Sequence, residues 1–195
     1  MLDQASQRAL IELATSSIQA TVRGGPGPED WLIDDLMARH EPLGLAGAAF
    51  ATLYVGDELR GCLGEISRVD PLARVVIFCA GRAARFDLRF DPVRPEELVR
   101  LRFTISVLGP LAQVSNPEQI VIGRDGLLLE QDERRGLLLP DVAVERGWGR
   151  AEFIDHLYLK AGIDPSTPLL ACRLWSFRTQ VIHSPNFPAP APVEE

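Results

Sequence analysis

Two strand-like segments separated by a two-residue turn constrain the fold of this chain most. Residues 48–54 and 58–66 are both of strand length, the first is largely apolar, and Gly56-Asp57 lies between them. A two-residue turn that contains glycine is typical of a β-hairpin, which makes its two strands antiparallel neighbours. Residues 101–108 alternate apolar and polar side chains as a third strand would, so we expect a largely antiparallel sheet.

Helical segments are predicted between these strands. Apolar residues recur at helical spacing after Asp3, which can cap a first helix to about Val22, and again after Asp70-Pro71. Because the strands arrive in hairpins, the predicted class is α+β, a largely antiparallel sheet with packed helices. Shorter helices are predicted at 31–39, 140–145 and 150–161, a hairpin at 119–122 and 127–130, and further strands at 135–139 and 169–182.

The length and composition suit a globular protein with a sizeable core. The chain has 195 residues, of which 46% are hydrophobic and 24% are charged, enough for one domain or two closely packed lobes. We predict a single domain over residues 1–183, built of two closely associated subdomains. A proline-rich tail is predicted over 184–195.

The net charge and the apolar pattern exclude several classes of partner. A formal net charge of -7 argues against broad nucleic-acid binding, which depends on a positive surface. No apolar run approaches the roughly 20 residues that span a bilayer, and the first residues lack the order of a signal peptide. We therefore expect a cytoplasmic protein that binds neither nucleic acid nor membrane.

The cysteines and acidic residues form no metal or cofactor motif. Cys62, Cys79 and Cys172 are too few and too scattered for a disulfide framework, and no CxxC pair suggests zinc. Calcium-loop, phosphate-loop and CxxxCxxC cluster motifs are not found in the sequence either. We predict no metal and no cofactor for this chain.

Cys62 is the leading candidate for a functional residue. It lies in the segment 59–64, where Gly61 and Gly64 permit backbone shapes or close approaches that a side chain would block. Arg60, two positions earlier, would stabilise a thiolate at this cysteine. The alternative is a small core residue on a strand with a glycine bulge, and the residues alone leave both interpretations open.

Spacing along the chain does not fix a partner for the thiol. A nucleophilic cysteine needs a base, and none of His40, His156 and His183 has a diagnostic spacing from it. Asp87 and Arg89, two positions apart, could present a carboxylate and a guanidinium to a ligand. They could equally form a local ion pair, which contributes only about 0–1 kcal/mol when it is exposed.

Short blocks of distinctive composition occur through the chain in a characteristic order. Leu59-Arg60-Gly61-Cys62-Leu63-Gly64 and Asp87-Leu88-Arg89-Phe90 are followed by further blocks. The later blocks are Ile105-Ser106-Val107-Leu108, Leu138-Leu139-Pro140, Gly147-Trp148 and Lys160-Ala161-Gly162. The series resembles the AMMECR domain family, the A component of the AmmeMemoRadiSam gene system, with its LRGCIG and DPRF motifs. Leu88 replaces the usual proline, and the segment around 183–188 matches the family poorly.

The resemblance implies an intracellular α+β protein of two associated subdomains, with the signature segment near a cleft. We take Cys62 and Arg60 as candidate catalytic residues. The candidate ligand-binding residues are Gly61, Gly64, Asp87, Arg89, Phe90 and Pro140. The blocks at 59–64, 87–90 and 138–148 are expected to line one common cleft.

Two classes of function stay open, because the resemblance supplies no settled reaction. The preferred hypothesis is a binding component whose Arg60 and Cys62 surface recognises a small molecule or a protein segment. The family's gene linkage suggests that it works alongside Memo-type and radical SAM proteins. The alternative is an enzyme that uses Cys62 as a nucleophile or redox thiol on a small metabolite or a nucleobase-like substrate.

We predict that Cys62 is the most reactive of the three cysteines towards alkylating reagents. Arg60 and the adjacent glycines favour thiolate and access at this position, whereas Cys79 falls on the apolar face of a predicted helix. Differential alkylation of the folded protein, followed by peptide mapping, measures the ranking. Faster reaction at Cys79 or Cys172 would show that the ranking is wrong.

Overall fold

The computed structural model describes residues 1–185 and shows an α+β fold, as predicted. The α-helices are α1 (Gln4–Arg23), α2 (Asp30–Arg39), α3 (Glu41–Gly44), α4 (Leu72–Arg85), α5 (Pro140–Arg146) and α6 (Arg150–Ala161). The strands are β1 (Ala49–Val55), β2 (Glu58–Glu65), β3 (Leu101–Leu108), β4 (Ala112–Gln113), β5 (Gly126–Gln131), β6 (Arg134–Leu138), β7 (Arg173–Phe177) and β8 (Thr179–His183). Short 3-10 helices occupy Pro95–Arg100, Pro117–Gln119 and Leu169–Ala171.

The strands form two antiparallel sheets of four strands each. The first has the order β2-β1-β3-β8, and the second has the order β4-β7-β5-β6. The chain divides into two compact units, one of Met1–Val107 with the segment that begins at Gln180, the other of Leu108–Thr179. The close association of two subdomains remains a prediction.

The first unit is built around α1 and α4, which pack on one face of the first sheet. Asp3 caps α1 by accepting a hydrogen bond from the Ser6 backbone N–H at 2.8 Å, as the sequence predicts. The side chains that form this core are apolar and almost fully buried, among them Leu10, Leu13, Ile18, Ala51, Leu53, Val76 and Ile105. A β-sheet and two helices thus share one apolar layer.

Cys79 is a core residue, as its place in the helical pattern predicts. Its side chain is 1% exposed on the buried face of α4, and its thiol donates to the Ala49 carbonyl at 3.6 Å. Burial raises the pKa of the Cys79 thiol to about 12. The thiol is therefore protonated at neutral pH and poorly accessible to reagents.

Gly61 and Gly64 are needed for close packing. A Cβ at Gly61 would overlap the carbonyl oxygen of Ala83 on α4, and a Cβ at Gly64 would overlap the ring of Phe50. Of the two expected reasons for glycine, backbone shape and close approach, the first does not apply to Gly61, because its φ angle lies outside the left-handed region. The requirement for glycine comes instead from the closeness of β2 to the α4 backbone.

The second unit departs from the predicted hairpin at 119–122 and 127–130. Its hairpin is β5 with β6, and the turn places Asp132 at φ 53. Residues 119–122 form the end of a 3-10 helix and a turn, because the Asp125 carboxylate accepts from the Val121 N–H at 2.9 Å. Arg124-Asp125-Gly126 therefore leads into a strand and does not connect two strands.

The predicted long strand at 169–182 is two strands in different sheets. β7 pairs with β4 and β5 in the second sheet, whereas β8 lies beside β3 in the first. Arg178 separates the two strands. Of the predicted tail at 184–195, Ser184 is buried and its N–H donates to the Phe103 carbonyl at 2.9 Å, while residues 186–195 lie outside the described part.

Within residues 1–185, none of the helices has both the length and the apolar content that crossing a bilayer requires.

We expect Gly61→Ala to lower the free energy of unfolding by about 2 kcal/mol or more. The added methyl group meets the rigid backbone carbonyl of Ala83 and forces β2 and α4 apart. Urea unfolding measures the change. Gly27→Ala is the matched control, because a Cβ at Gly27 meets no atom within 4 Å, and we expect it to be neutral or slightly stabilising. Equal stability of the two variants would contradict the close-packing explanation.

Candidate functional site

Cys62 lies on the edge strand of the first sheet. Its backbone is opposite Thr52 of β1 in the register, and its N–H donates away from β1. The pair is therefore of the non-hydrogen-bonded kind, in which opposite side chains come closest. This closeness explains why the Thr52 hydroxyl donates to the Cys62 sulfur at 3.3 Å.

The segment after α4 covers the outward backbone groups of Cys62. The Asp87 carboxylate accepts from the Cys62 N–H at 2.8 Å, and the Arg89 guanidinium donates to the Cys62 carbonyl at 2.9 Å. Two side chains thus supply the acceptor and the donor that a neighbouring strand would provide. An edge strand whose polar groups are satisfied in this way is protected from pairing with another chain.

Asp87 is a buried carboxylate whose two oxygens are fully used. Its side chain is 4% exposed, and Oδ1 accepts from the backbone N–H and from Nε of Arg89. Oδ2 accepts from the Arg89 guanidinium at 2.7 Å and from the Cys62 amide. The Arg89 hydrogen bonds and then the Cys62 amide lower the pKa of Asp87 from 3.8 to about 2. Asp87 is therefore a fixed anion that positions its neighbours.

Arg89 is bound to Asp87, yet much of its side chain is exposed to solvent. Its side chain is 60% exposed although its partner Asp87 is buried. The guanidinium also lies 5.4 Å from the centre of the Phe90 ring, in a cation–π arrangement. The Asp87 hydrogen bond is the main cause that raises the pKa of Arg89, and the Cys62 side chain adds to it. Because it also donates to the Cys62 carbonyl, the guanidinium that contacts Cys62 is that of Arg89.

Arg60 has a different place from the one that its position in the sequence suggests. Its guanidinium donates to both oxygens of Glu97, at 3.2 and 3.0 Å, and to the Asp91 carbonyl at 3.3 Å. Both side chains of the Arg60–Glu97 ion pair are 11% exposed. The pair joins β2 to the 3-10 helix at Pro95–Arg100, so Arg60 is engaged in an ion pair, and the guanidinium that contacts Cys62 is that of Arg89.

A row of polar side chains crosses the face of the first sheet opposite α1 and α4. Cys62, Thr52 and Thr104 are directly opposite one another on β2, β1 and β3. The hydrogen bond from Ser184 N–H to Phe103 O places His183 beside Thr104 at the end of this row. Three strand spacings of about 4.8 Å put His183 roughly 14 Å from Cys62, too far for direct proton transfer.

His40 and His156 lie in other parts of the fold, where each has a contact of its own. His40 lies between α2 and α3, where its N–H donates to the Leu36 carbonyl at 2.9 Å. His156 stacks on Trp148 in the second unit, with ring centres 3.7 Å apart and planes inclined by 9°. Pro140 is also in the second unit, buried at the start of α5. The predicted convergence of 138–148 with the other blocks remains a prediction.

The residues around Cys62 present a thiol, a hydroxyl and a cation. The roles of Thr52, which donates to the Cys62 sulfur, and of Glu97, which pairs with Arg60, do not follow from the sequence. Among residues 1–185, no group of three or more His, Cys, Asp or Glu side chains could hold a metal ion. A cavity of about 270 Å³ in the same unit is lined by residues of α1 with Leu98 and Phe103, and it includes neither Cys62 nor Asp87.

We expect Asp87→Asn to lose stability in a pH-dependent way. Because the folded-state pKa of Asp87 is depressed, its ionisation stabilises the fold above about pH 4, and this contribution disappears as the pH falls towards 2. The variant should be less stable by about 1–2 kcal/mol at pH 6. Urea unfolding at a series of pH values measures the difference, which should shrink with acidification.

Asp57→Asn is the control for this series, since Asp57 is fully exposed where it pairs with Arg102. We expect little change of stability from it at any pH. A deficit of Asp87→Asn that stays constant from pH 7 to pH 2 would contradict the assigned role of the charge.

Comparison with known proteins places the whole arrangement in a family. The AMMECR1 family model matches residues 11–182. Protein MK0488 of Methanopyrus kandleri is 42% identical over 144 residues, which are 68% of this chain and 69% of that protein. A protein of Methanothermobacter thermautotrophicus is 35% identical over 191 residues, 90% of this chain and 93% of the relative.

A solved structure has the same fold. The crystal structure of the uncharacterized protein PH0010 from Pyrococcus horikoshii has a TM-score of 0.79 with this chain and is 30% identical to it. The match covers 92% of both chains. The extent of the family match and the agreement in fold lead to one conclusion: this chain belongs to the AMMECR1 family.

Proposed function

We propose that this protein is a binding component whose surface around Cys62 and Arg89 recognises an anionic group of a small molecule or a protein segment. The observation that carries the proposal is the Arg89 guanidinium, which a buried carboxylate holds in place while 60% of the side chain stays exposed. A guanidinium fixed in this way presents its remaining N–H groups with little loss of conformational entropy on binding.

The neighbours of Arg89 add specificity to this surface. The Cys62 thiol and the Thr52 hydroxyl are 3.3 Å apart, and Phe90 supplies an aromatic face below the guanidinium. An anion bound at Arg89 would be near the thiol of β2, the hydroxyl of β1 and the ring of Phe90. Carboxylates and phosphates match the planar donor geometry of arginine best, so they are the proposed ligand groups.

An enzymatic use of Cys62 is the second candidate. The hydroxyl of Thr52 and the cation of Arg89 are groups that stabilise negative charge on sulfur, as a nucleophile or redox thiol requires. A small metabolite or a nucleobase-like compound would be the substrate. The roughly 14 Å estimated between Cys62 and His183 leaves the thiol without this histidine as a base, so we prefer the binding function.

We further propose that the protein acts in the cytoplasm with Memo-type and radical SAM proteins. This part of the proposal depends on the family's gene system alone. A complex between the purified proteins, formed by the wild type and weakened by Arg89→Gln, would connect the partner to the Cys62 surface.

The anion preference is tested by alkylating Cys62 with two reagents of different charge. Iodoacetate is anionic and iodoacetamide is neutral, so the ratio of their rates reports the local attraction of an anion. A unit charge about 4 Å away contributes about 1 kcal/mol in water, which corresponds to about fivefold in rate. We expect Arg89→Gln to lower the ratio at Cys62 by about this factor.

Two variants complete the test. Arg89→Lys keeps the charge and should keep most of the ratio. Arg94→Gln removes an exposed arginine of the same unit and should leave the ratio unchanged. An equal ratio in the wild type and Arg89→Gln, in protein whose thermal midpoint shows that it is folded, would overturn the proposed anion site.

A further inference from the structure

The exposed face of α4 carries a row of aromatic and basic side chains. Phe78, Arg82 and Phe86 follow one another at intervals of four residues, which places them on one side of the helix. The Arg82 guanidinium lies 5.2 Å from the ring centres of both Phe78 and Phe86. The two cation–π contacts order the three side chains into one continuous surface.

Two aromatic rings of this row are about half exposed to solvent. Phe78 and Phe86 are 52% and 49% exposed, and Leu88 just beyond the helix is 99% exposed. Contiguous exposed aromatic and aliphatic side chains mark interaction surfaces more often than isolated ones do.

The other end of the row is an acidic notch. A cavity of about 230 Å³ is lined by Glu65, Asp70, Arg74, Val75 and Phe78. Arg74 already has two carboxylate partners, Asp30 at 3.0 Å and Asp34 at 3.3 Å. Asp30, Asp34 and Asp70 outnumber Arg74 here and give this end a negative character, while Arg85 adds positive charge towards the other end of α4.

We propose that the occupant of this surface is a second copy of the chain, bound through α4 in an antiparallel, two-fold symmetric arrangement. At one end of the surface Phe86 projects beside the basic Arg85. At the other end lies the cavity with its acidic residues. Such a surface is complementary to itself when one copy is rotated by 180°.

Helix geometry sets the contacts. Four residues advance about 6 Å along α4, so a two-fold axis between Phe78 and Arg82 places Phe78 opposite Arg82 of the second copy. Phe86 then reaches the region of Arg74 and the notch beside it. Arg85 follows Phe78 by seven residues, close to two helical turns, so it lies on the same side of α4 and comes opposite the end of the second copy that carries Asp70.

The expected dimer is weak. α4 has 14 residues and is about 21 Å long, so one helix face supplies less than the roughly 1,200–2,000 Å² of a standard stable interface. We therefore expect a dissociation constant between about 10 μM and 1 mM. The interaction would depend on salt, because it includes exposed charges.

Sedimentation velocity of the full chain, from about 1 μM to about 1 mM, measures the association. The wild type should show a concentration-dependent dimer. Phe78→Ser and Phe86→Ser should each weaken it by about tenfold or more, because buried aromatic side chains contribute most at interfaces. Val144→Ser is the control, since Val144 is an exposed apolar residue of the second unit, at 60% exposure, and should leave the dimer unchanged.

A charge exchange distinguishes the symmetric dimer from other associations. Arg85→Glu and Asp70→Arg each place like charges across the two-fold axis, so each variant alone should be monomeric. In a mixture of the two variants both cross-axis pairs are again of opposite charge, and a mixed dimer should form.

Three results would overturn the proposal. The first is a wild type that stays monomeric up to about 1 mM. The second is a dimer that Phe78→Ser and Phe86→Ser do not weaken, which would place the contact elsewhere. The third is a mixture of Arg85→Glu and Asp70→Arg that remains monomeric although each variant is folded.

Discussion

The hydrogen bond from the Cys62 backbone N–H to the buried Asp87 carboxylate connects the sheet to the segment that follows α4. It closes the outer edge of β2, and it places the Arg89 guanidinium against the Cys62 carbonyl. Removal of this carboxylate would expose an unpaired strand edge and release Arg89. The position of the thiol, the cation and the edge strand therefore depends on one buried charge.

The closeness of β2 to α4 is the second constraint on the site. Gly61 allows the strand to lie against the Ala83 carbonyl, and the next residue then faces the opposite side of the sheet. Gly61 lies opposite Leu53 and Leu59 lies opposite Tyr54, so Arg60 is an extra residue in β2, and this bulge brings Cys62 opposite Thr52. The glycine and the bulge together decide which hydroxyl meets the sulfur.

Much of the fold could be predicted from local patterns, because the turn at Gly56-Asp57 and the cap at Asp3 depend on near neighbours. The ion-pair partners of the charged residues could not be predicted from local patterns. If residues are paired outward from the Gly56-Asp57 turn without the bulge, Cys62 falls one residue out of register. Its neighbour Thr52 therefore cannot be identified from the sequence. Arg60 and Glu97 are far apart in sequence, so their pairing follows from tertiary structure. The break at Arg178 cannot be recognised in the sequence, because strands that belong to two sheets follow one another as a single apolar run.

The central claim is that Asp87 holds the backbone of Cys62 in place, and hydrogen exchange of the Cys62 amide measured by NMR tests it most directly. On an open edge strand this amide would exchange rapidly, since no strand covers it. The account predicts that the wild-type amide is protected about as well as the interior amides of β1, and that Asp87→Ala removes this protection while the β1 amides keep theirs. Rapid exchange of the Cys62 amide in the wild type, or unchanged protection in Asp87→Ala, would contradict the account.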